Sequence, residues 1–111
     1  MTALLCHVVV YRLAEDLDPQ RLARVEAQFE ALPGEVAEVL SIEAGRNVSP
    51  SRLARGWDFG AVMTFAGAAE RDRFLAHPAH DRLTEATANG FFREAMVFDL
   101  PIGGTVLAER E

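Results

Sequence analysis

The segment His77-Pro78-Ala79-His80 holds two of the three histidines of the chain, and the third is His7. Pro78 fixes a turn or kink, because its ring clashes with the preceding helical turn and it lacks an amide proton. The two imidazoles therefore do not share one regular helix, and we expect one to point toward the sheet and the other outward. A half-buried neutral imidazole beside an apolar pocket is a competent general base near neutral pH.

His80 is the candidate base and His7 its candidate supporting residue. In the alternative interpretation both are structural and hydrogen-bond across the core and to the backbone, as buried polar groups usually do. For His77, a ligand contact competes with a surface or capping role. Asp99 follows a run of strand residues, where it could pair with a histidine or cap the strand edge, and both possibilities stay open.

Metal and nucleophile chemistry are poorly supported by the sequence. His77, His80 and Asp81 could be assembled into a site, but two histidines separated by a proline lack the geometry of a helical His-Glu-x-x-His pair. The single cysteine is Cys6, and along a strand the adjacent His7 points to the opposite face, so we expect no Cys-His nucleophile. The chain has no glycine-rich phosphate loop and no Gly-x-Ser-x-Gly element.

The composition is that of one globular domain. The chain has 111 residues, 50% of them hydrophobic and 25% charged, with a net charge of −6. All the cations are arginines and none is clustered, so we expect no nucleic acid partner and no anionic membrane partner. No apolar run approaches the ~20 residues of a membrane span, and no basic segment precedes the first apolar run. We therefore expect a soluble, cytoplasmic protein.

The first half of the sequence predicts a strand, a helix and two further strands. The helix begins at the cap Asp18-Pro19 and runs to about Leu32, where Pro33-Gly34 ends it. The three predicted strands are Leu4–Leu13, Val36–Ala44 and Asp58–Phe65. A long loop, Gly45–Gly56, connects the second strand to the third.

The second half predicts a broken helix and a last strand. Gly67 opens the helical region, Pro78 interrupts it, and the restarted helix, with Leu83 and Ala86 inward, ends at Asn89-Gly90. The last strand is Arg93–Leu100. We divide the chain into a domain over residues 1–100 and a C-terminal tail over residues 101–111, whose Val106 and Leu107 suggest docking, for example on a partner subunit.

The resulting order β-α-β-β-α-β is the split βαβ plan of the ferredoxin-like fold, an α+β fold with helices on one face of a four-stranded antiparallel sheet. The strands are apolar on both faces: in the first, Leu4, Cys6, Val8 and Val10 oppose His7, Val9, Tyr11 and Leu13. A monomer would expose one set as a continuous patch, which is rare in soluble monomers. We therefore expect a homodimer closed sheet to sheet, unless the long loop or the tail covers that face.

These residues together resemble the Dabb family, the stress-responsive dimeric A/B barrel domains. The resemblance covers Ala3 to Leu100. It rests on an early His7, the segment Gly45-Arg46-Asn47-Val48-Ser49, an aromatic-rich third strand, the segment His77-Pro78-Ala79-His80 and a last strand ending in Phe98-Asp99. It implies a ferredoxin-like protomer, a dimer whose sheets close into a barrel, and no organic cofactor.

The functions of the family are diverse, and the resemblance implies residue roles for one branch, which cyclises linear polyketides. There the histidine matching His80 is the base, a tyrosine at the position of Phe74 assists it, and the histidine matching His7 lies nearby. Phe74 has no hydroxyl, so this chain departs from the cyclase pattern. The resemblance also implies, for some members, a metal near the turn at residues 32–36. We assign no metal-binding residue, and whether this chain holds a metal at that turn stays open.

Three functions follow as hypotheses. The first is a stress-related dimer without turnover that binds a small apolar or aromatic ligand between sheet and helices, with Phe74, Tyr11, His77 and Trp57 as candidate contacts. Tyr11 and Trp57 fit a core or interface position as well. The second is a cofactor-independent, cyclase-like enzyme that uses His80 as base. The third, a dimeric-barrel monooxygenase-like enzyme, rests on fold analogy alone.

Overall fold

The computed structural model describes residues 4–103, which form one four-stranded antiparallel sheet with helices on one face. The strand order is β2-β3-β1-β4, which places β1 at the centre of the sheet and β4 at one edge. The strands are β1 (Leu4–Leu13), β2 (Ser41–Arg46), β3 (Phe59–Phe65) and β4 (Phe92–Ile102). The helices are α1 (Pro19–Glu30), α2 (Leu32–Glu35), α3 (Ala68–Leu75) and α4 (Pro78–Ala86). The predicted ferredoxin-like architecture is confirmed.

Helix α1 begins where the sequence predicts it. The Asp18 carboxylate accepts a hydrogen bond from the Gln20 amide at 2.9 Å, and Pro19 occupies the first turn, where its missing amide proton costs nothing. Leu22, Val25 and Phe29 form its buried face. The predicted end at Pro33-Gly34 is wrong, since α1 stops at Glu30 and Pro33 lies in the first turn of the separate helix α2.

The second strand starts later than predicted. The apparent alternation from Val36 is wrong, because Val36 and Val39 are both buried and the Val39 amide donates to the Val36 carbonyl at 3.1 Å in a turn. The chain joins the sheet when the Leu40 amide donates to the Thr64 carbonyl at 2.9 Å. The loop that was predicted to begin at Gly45 begins after Arg46 in the structure, and it contains one 3₁₀ turn, Arg52–Ala54.

The break at Pro78 is confirmed and has a specific cap. His77 has extended backbone, and its Nδ1 accepts a hydrogen bond from the Ala79 amide at 2.9 Å, so an imidazole takes the role usually filled by Ser or Asp. At the other end, the Arg21 guanidinium of α1 donates to the carbonyls of Ala86, Ala88 and Asn89. The His77 cap is local, whereas the Arg21 contacts fix the C-terminal end of α4 against α1.

Strand β4 is longer than predicted. It pairs with β1 along its whole length, from Phe92 opposite Leu13 to Ile102 opposite Leu4. Pro101 therefore lies within the strand and does not begin a tail, which is possible because β4 is an edge strand and its outer amides need no partner. Val106 and Leu107, proposed above as docking residues, lie outside the described residues.

The two faces of the sheet differ as the alternation predicts. The face toward the helices is buried, with Phe59, Ala61, Met63 and Phe65 of β3 all at most 2% exposed. We call the opposite side the open face. It carries apolar side chains from three strands, several of them more than a third exposed: Leu4, Cys6, Val8, Val10, Val62, Met96, Phe98, Leu100 and Ile102.

The helix layer does not extend over β4. Val97 points to the helix side, opposite the buried Val9, yet remains 55% exposed. A gap therefore remains between the edge strand and the helices. Among residues 4–103, no helix combines the length and the apolar character needed to cross a bilayer.

Candidate functional site

The gap beside β4 opens into a cavity of about 210 Å³ between the sheet and helices α3 and α4. Four of the predicted site residues line it: His7, Tyr11, Phe74 and His80. The rest of the lining is mainly apolar and comes from Val9, Phe29, Met63, Leu83, Thr84, Thr87, Phe92, Ala95 and Val97.

His80 lies in the first turn of α4, two residues after Pro78, which starts the helix. Its imidazole is half-buried and meets the Phe74 ring edge-on, with ring centroids 5.1 Å apart at 80°. Burial lowers the pKa of His80, the Asp81 carboxylate opposes this, and nearby His7 lowers it further. The ring is therefore neutral at neutral pH. Within residues 4–103, neither of its nitrogens is held by a hydrogen bond.

His7 is buried at the centre of the sheet and is held by a charged chain of contacts. Its Nδ1 lies 2.7 Å from Oδ1 of Asp99, the residue directly opposite on β4. Oδ2 of Asp99 accepts from Nη1 of Arg71 at 3.0 Å, and Arg71 also donates to Asp72. A carboxylate at Nδ1 accepts the proton there, which leaves Nε2 as the nitrogen available to the cavity.

Phe74 separates the two histidines. It is 1% exposed and packs its ring against Phe65 at 5.5 Å, His7 at 6.3 Å and His80 at 5.1 Å. The absence of a hydroxyl at this position leaves the histidine end of the cavity with no phenolic donor from α3. Phe74 contributes shape and an apolar wall, and the desolvation that it causes favours neutral His80.

Tyr11 lies further along β1, in an aromatic group with Phe59, Phe91 and Phe92 at centroid distances of 6.0, 5.4 and 5.4 Å. Burial raises the pKa of Tyr11 to about 12. The phenol consequently keeps its proton at neutral pH and acts as a hydrogen-bond donor.

Two predicted ligand contacts lie elsewhere. His77 caps α4 by accepting a hydrogen bond from the Ala79 amide, and it does not line the cavity. This is the capping role that the sequence offered as the alternative to a ligand contact. Trp57 precedes β3 and stacks under the Arg12 guanidinium, whose Cζ lies 4.9 Å from the ring centroid. It borders a shallow groove with Val10 and Val62 on the open side of the sheet.

Several site residues were not identified from the sequence. Arg71 is separated from Asp99 by 28 positions and lies on α3, and no local spacing links the two. Thr84 and Thr87 line the cavity from α4 and the residue after it. They follow His80 by four and seven residues, a spacing that places all three on one face of a helix. This spacing could have identified them from the sequence.

Some of the backbone carbonyls around the turn at residues 32–36 are engaged in hydrogen bonds. The carbonyls of Ala31, Leu32 and Val36 accept the amides of Gly34, Val36 and Val39 at 3.1, 2.8 and 3.1 Å. The Glu35 carboxylate lies at the surface, 3.6 Å from Arg82. Across residues 4–103, no three His, Cys, Asp or Glu side chains are grouped so that they could hold a metal ion.

The split βαβ order and the helix-covered antiparallel sheet define a ferredoxin-like domain. Residues 5–102 match the family described as the stress responsive A/B barrel domain, Dabb. The chain belongs to this family, as the resemblance predicted. Among curated proteins, none matches the chain.

Solved structures share the fold. The hydroxynitrile lyase from Passiflora edulis is 18% identical with a TM-score of 0.83, over 95% of this chain and 98% of that one. A Dabb family protein from Mesorhizobium loti is 22% identical with a TM-score of 0.72, over 91% and 99%. A dimeric ferredoxin-like protein of unknown function from Thermobifida fusca is 17% identical with a TM-score of 0.77, over 92% and 93%. At these identities the likeness shows the fold alone.

Proposed function

We propose that the protein is a homodimer that binds a small, mainly apolar or aromatic molecule in the cavity between β1, β4 and α4. The observation that carries this proposal is the cavity itself, which combines an apolar lining with a few convergent polar groups, namely His7, His80 and Tyr11. Such a combination is typical of small-molecule sites, where apolar walls supply affinity and polar groups set orientation.

The volume limits the size of the ligand. A dry apolar protein cavity of about 150 Å³ accepts benzene, and this cavity measures about 210 Å³. It is smaller than the roughly 300 Å³ at which drug-sized sites begin. We infer a ligand of one ring with one or two small substituents, and not a long polyketide chain enclosed within one protomer.

The open face supports the dimer. Met96, Phe98 and Leu100 of β4 are 44%, 38% and 49% exposed beside the apolar residues of β1, and a second copy is the cover that a two-fold axis supplies. Solved structures with this fold from Thermobifida fusca and Bacteroides fragilis are described as dimeric. Face-to-face packing of two such sheets is a standard arrangement.

A cytoplasmic location is part of the proposal. Cys6 is the single cysteine of the chain, is unpaired within residues 4–103, and lies half-buried on the open face. A two-fold axis would bring two copies of this thiol into one interface. A reducing compartment would keep both as thiols.

A second candidate function is a cofactor-independent enzyme in which His80 removes a proton from the bound molecule. Three features of His80 favour it: the ring lines the cavity, is neutral at neutral pH, and has both nitrogens free of hydrogen bonds within the described part of the chain. Proton abstraction next to a carbonyl is chemistry that a positioned neutral imidazole performs. The hydroxynitrile lyase from Passiflora edulis shares the fold. No feature of the cavity supports the oxygenase hypothesis.

Binding of toluene and phenol, followed by NMR of the folded protein, tests the main proposal. We expect saturable shifts of signals from Val9, Leu83 and Val97. Val97→Trp should abolish them, because Val97 stands at the cavity wall and is exposed enough to accept a larger side chain. Val48→Trp is the matched control, since Val48 is 89% exposed in a loop. Unchanged binding by Val97→Trp would exclude this cavity as the site.

A further inference from the structure

We propose that Tyr11 is the hydrogen-bond donor of the cavity and that it recognises an acceptor, such as a carbonyl oxygen, at the end of the ligand remote from His80. The inference rests on the proposed ligand-binding function and specifies its ligand class. That class is a molecule of one-ring size with an acceptor at one end and a proton-donating group at the other.

The positions of the polar groups along β1 support two separate ends. His7 and Tyr11 lie four residues apart on the same face of the strand, with Val9 between them, which corresponds to about 13 Å between their Cα atoms. Phe74 connects His7 and His80 at one end. Phe91 and Phe92 contact Tyr11 at the other.

The Tyr11 hydroxyl has no protein partner in the described part of the chain. Tyr11 is 6% exposed, and burial raises its pKa with no hydrogen bond contributing. Its hydroxyl oxygen is not among the fully buried atoms that lack a partner, so it keeps some accessible surface, as an oxygen that faces the cavity does. Buried tyrosine hydroxyls normally have a partner. A ligand acceptor in the cavity would supply one.

The other hydroxyls of the lining are less suited to this role. The Thr87 hydroxyl already donates to the Leu83 carbonyl at 2.9 Å. Thr84 lines the cavity from an exposed position on α4, where solvent competes for its hydroxyl. Tyr11 is therefore the donor that the cavity shields best.

The protonation states make the two ends complementary. Burial raises the pKa of Tyr11 to about 12, which keeps the phenol a donor at neutral pH. Burial lowers the pKa of His80, which keeps a lone pair on its ring. A bound molecule that accepts from Tyr11 and donates to His80 satisfies both groups. The arrangement also supplies, from the central strand, the phenol that position 74 lacks.

The test compares four probes of similar size by calorimetric titration of the whole protein. Toluene offers neither polar group, and phenol offers a donor whose oxygen is a weaker acceptor than a carbonyl. Benzaldehyde offers a carbonyl acceptor, and 4-hydroxybenzaldehyde offers both the carbonyl and the donor. Tyr11→Phe should weaken benzaldehyde and 4-hydroxybenzaldehyde by about five- to tenfold, the usual effect of one neutral hydrogen bond, and should change toluene and phenol less than twofold. Thr84→Val, which removes the competing hydroxyl of the lining, should weaken benzaldehyde by less than Tyr11→Phe does.

Tyr11 is the single tyrosine of the chain, which provides a readout in the unmutated protein. With a ¹³Cζ label on tyrosine, benzaldehyde should move the single resonance by more than toluene does at equal saturation. This measurement keeps the proposal testable even where Tyr11→Phe disturbs the aromatic packing around it.

Each outcome separates the two proposals. Benzaldehyde binding that is equally tight in Tyr11→Phe, or a ¹³Cζ resonance that responds equally to toluene and benzaldehyde, overturns the role of Tyr11 and leaves the cavity as a ligand site. A selective loss in Thr84→Val instead would assign the donor to Thr84 and also overturn it. Failure of all four probes to bind the unmutated protein would overturn the proposed function and, with it, this inference.

Discussion

His7 and Asp99 face each other directly across the β1–β4 pairing, with His7 Nδ1 2.7 Å from Asp99 Oδ1. The same carboxylate accepts from Arg71 on α3 at 3.0 Å. One side chain of the edge strand therefore orients a buried imidazole of the central strand and also ties a helix to the sheet. His7 lines the cavity, so this contact orients one of the polar side chains of the cavity wall.

Asp99→Ala should destabilise the fold. The buried Nδ1 of His7 would lose its acceptor, and leaving a buried donor unpaired costs on the order of 1–3 kcal/mol in the free energy of unfolding. Urea denaturation at neutral pH measures the loss. Asp72→Ala is the control, because Asp72 also pairs with Arg71 but its side chain is 65% exposed and does not reach His7. A loss for Asp99→Ala no larger than that for Asp72→Ala would contradict the structural importance of the His7 contact.

The parts of the fold that the sequence predicted well are those determined by local patterns. Strands β1 and β3 alternate between two faces that are both apolar, and Asp18-Pro19 and Pro78 mark helix starts whose caps need no distant partner. The start of β2 was predicted wrongly. Val36 and Val39 satisfy a strand pattern in the sequence, but they are buried by a turn that packs against α1 and the sheet.

The candidate site was predictable in its residues more than in its contacts. Pro78 marks a helix start and so places His80 in the first turn of that helix, and the alternation of β1 places His7 and Tyr11 on the helix side. Which partner holds His7 depends on the register of β4, and the Arg71 contact depends on how α3 sits on the sheet. Both contacts join residues of different elements, so the spacing of residues within one helix or strand cannot predict them.

His77→Ala should destabilise α4. The substitution removes the Nδ1 acceptor of the Ala79 amide, and loss of a helix cap typically costs about 1 kcal/mol. His77→Asn should retain most of the stability, because asparagine is a good cap residue with a side-chain acceptor. Thermal and urea unfolding of the two variants provide the measurement. Equal destabilisation by both substitutions would show that the loss of stability does not come from the missing cap.

The stability of the protein should fall with acid partly because of His80. Its pKa is lowered in the folded state mainly by burial, so the unfolded chain binds a proton more readily between the folded pKa and about 6.5. The loss of folding stability caused by His80 is therefore absent above about pH 6.5. It grows as the pH falls through that window and is complete below the pKa of His80 in the folded protein.

The variant His80→Asn tests this sign. Relative to the unmutated protein, it should gain stability as the pH is lowered from 7.5 to 5, because it has no imidazole to protonate in the unfolded state. NMR titration of the His80 ring should show a midpoint below 6.5. A midpoint at or above that value, or a stability difference that does not change with pH, would show that the cavity does not desolvate the ring.

Phe98→Glu should convert the proposed dimer into a monomer. Phe98 lies opposite Val8 in the middle of the open face and is 38% exposed in the protomer, so a carboxylate there would be forced into an apolar interface without a partner. Burial of an unpaired charge costs several kcal/mol, enough to raise the dissociation constant of a micromolar or tighter dimer by two or more orders of magnitude.

Sedimentation equilibrium of the unmutated protein should give twice the protomer mass at micromolar concentration, and Phe98→Glu should give the protomer mass with unchanged circular dichroism. Val48→Glu, which adds the same charge to an 89% exposed loop position, should remain dimeric. A monomeric unmutated protein would show instead that the apolar side chains of the open face tolerate solvent or are covered by the protein's own residues.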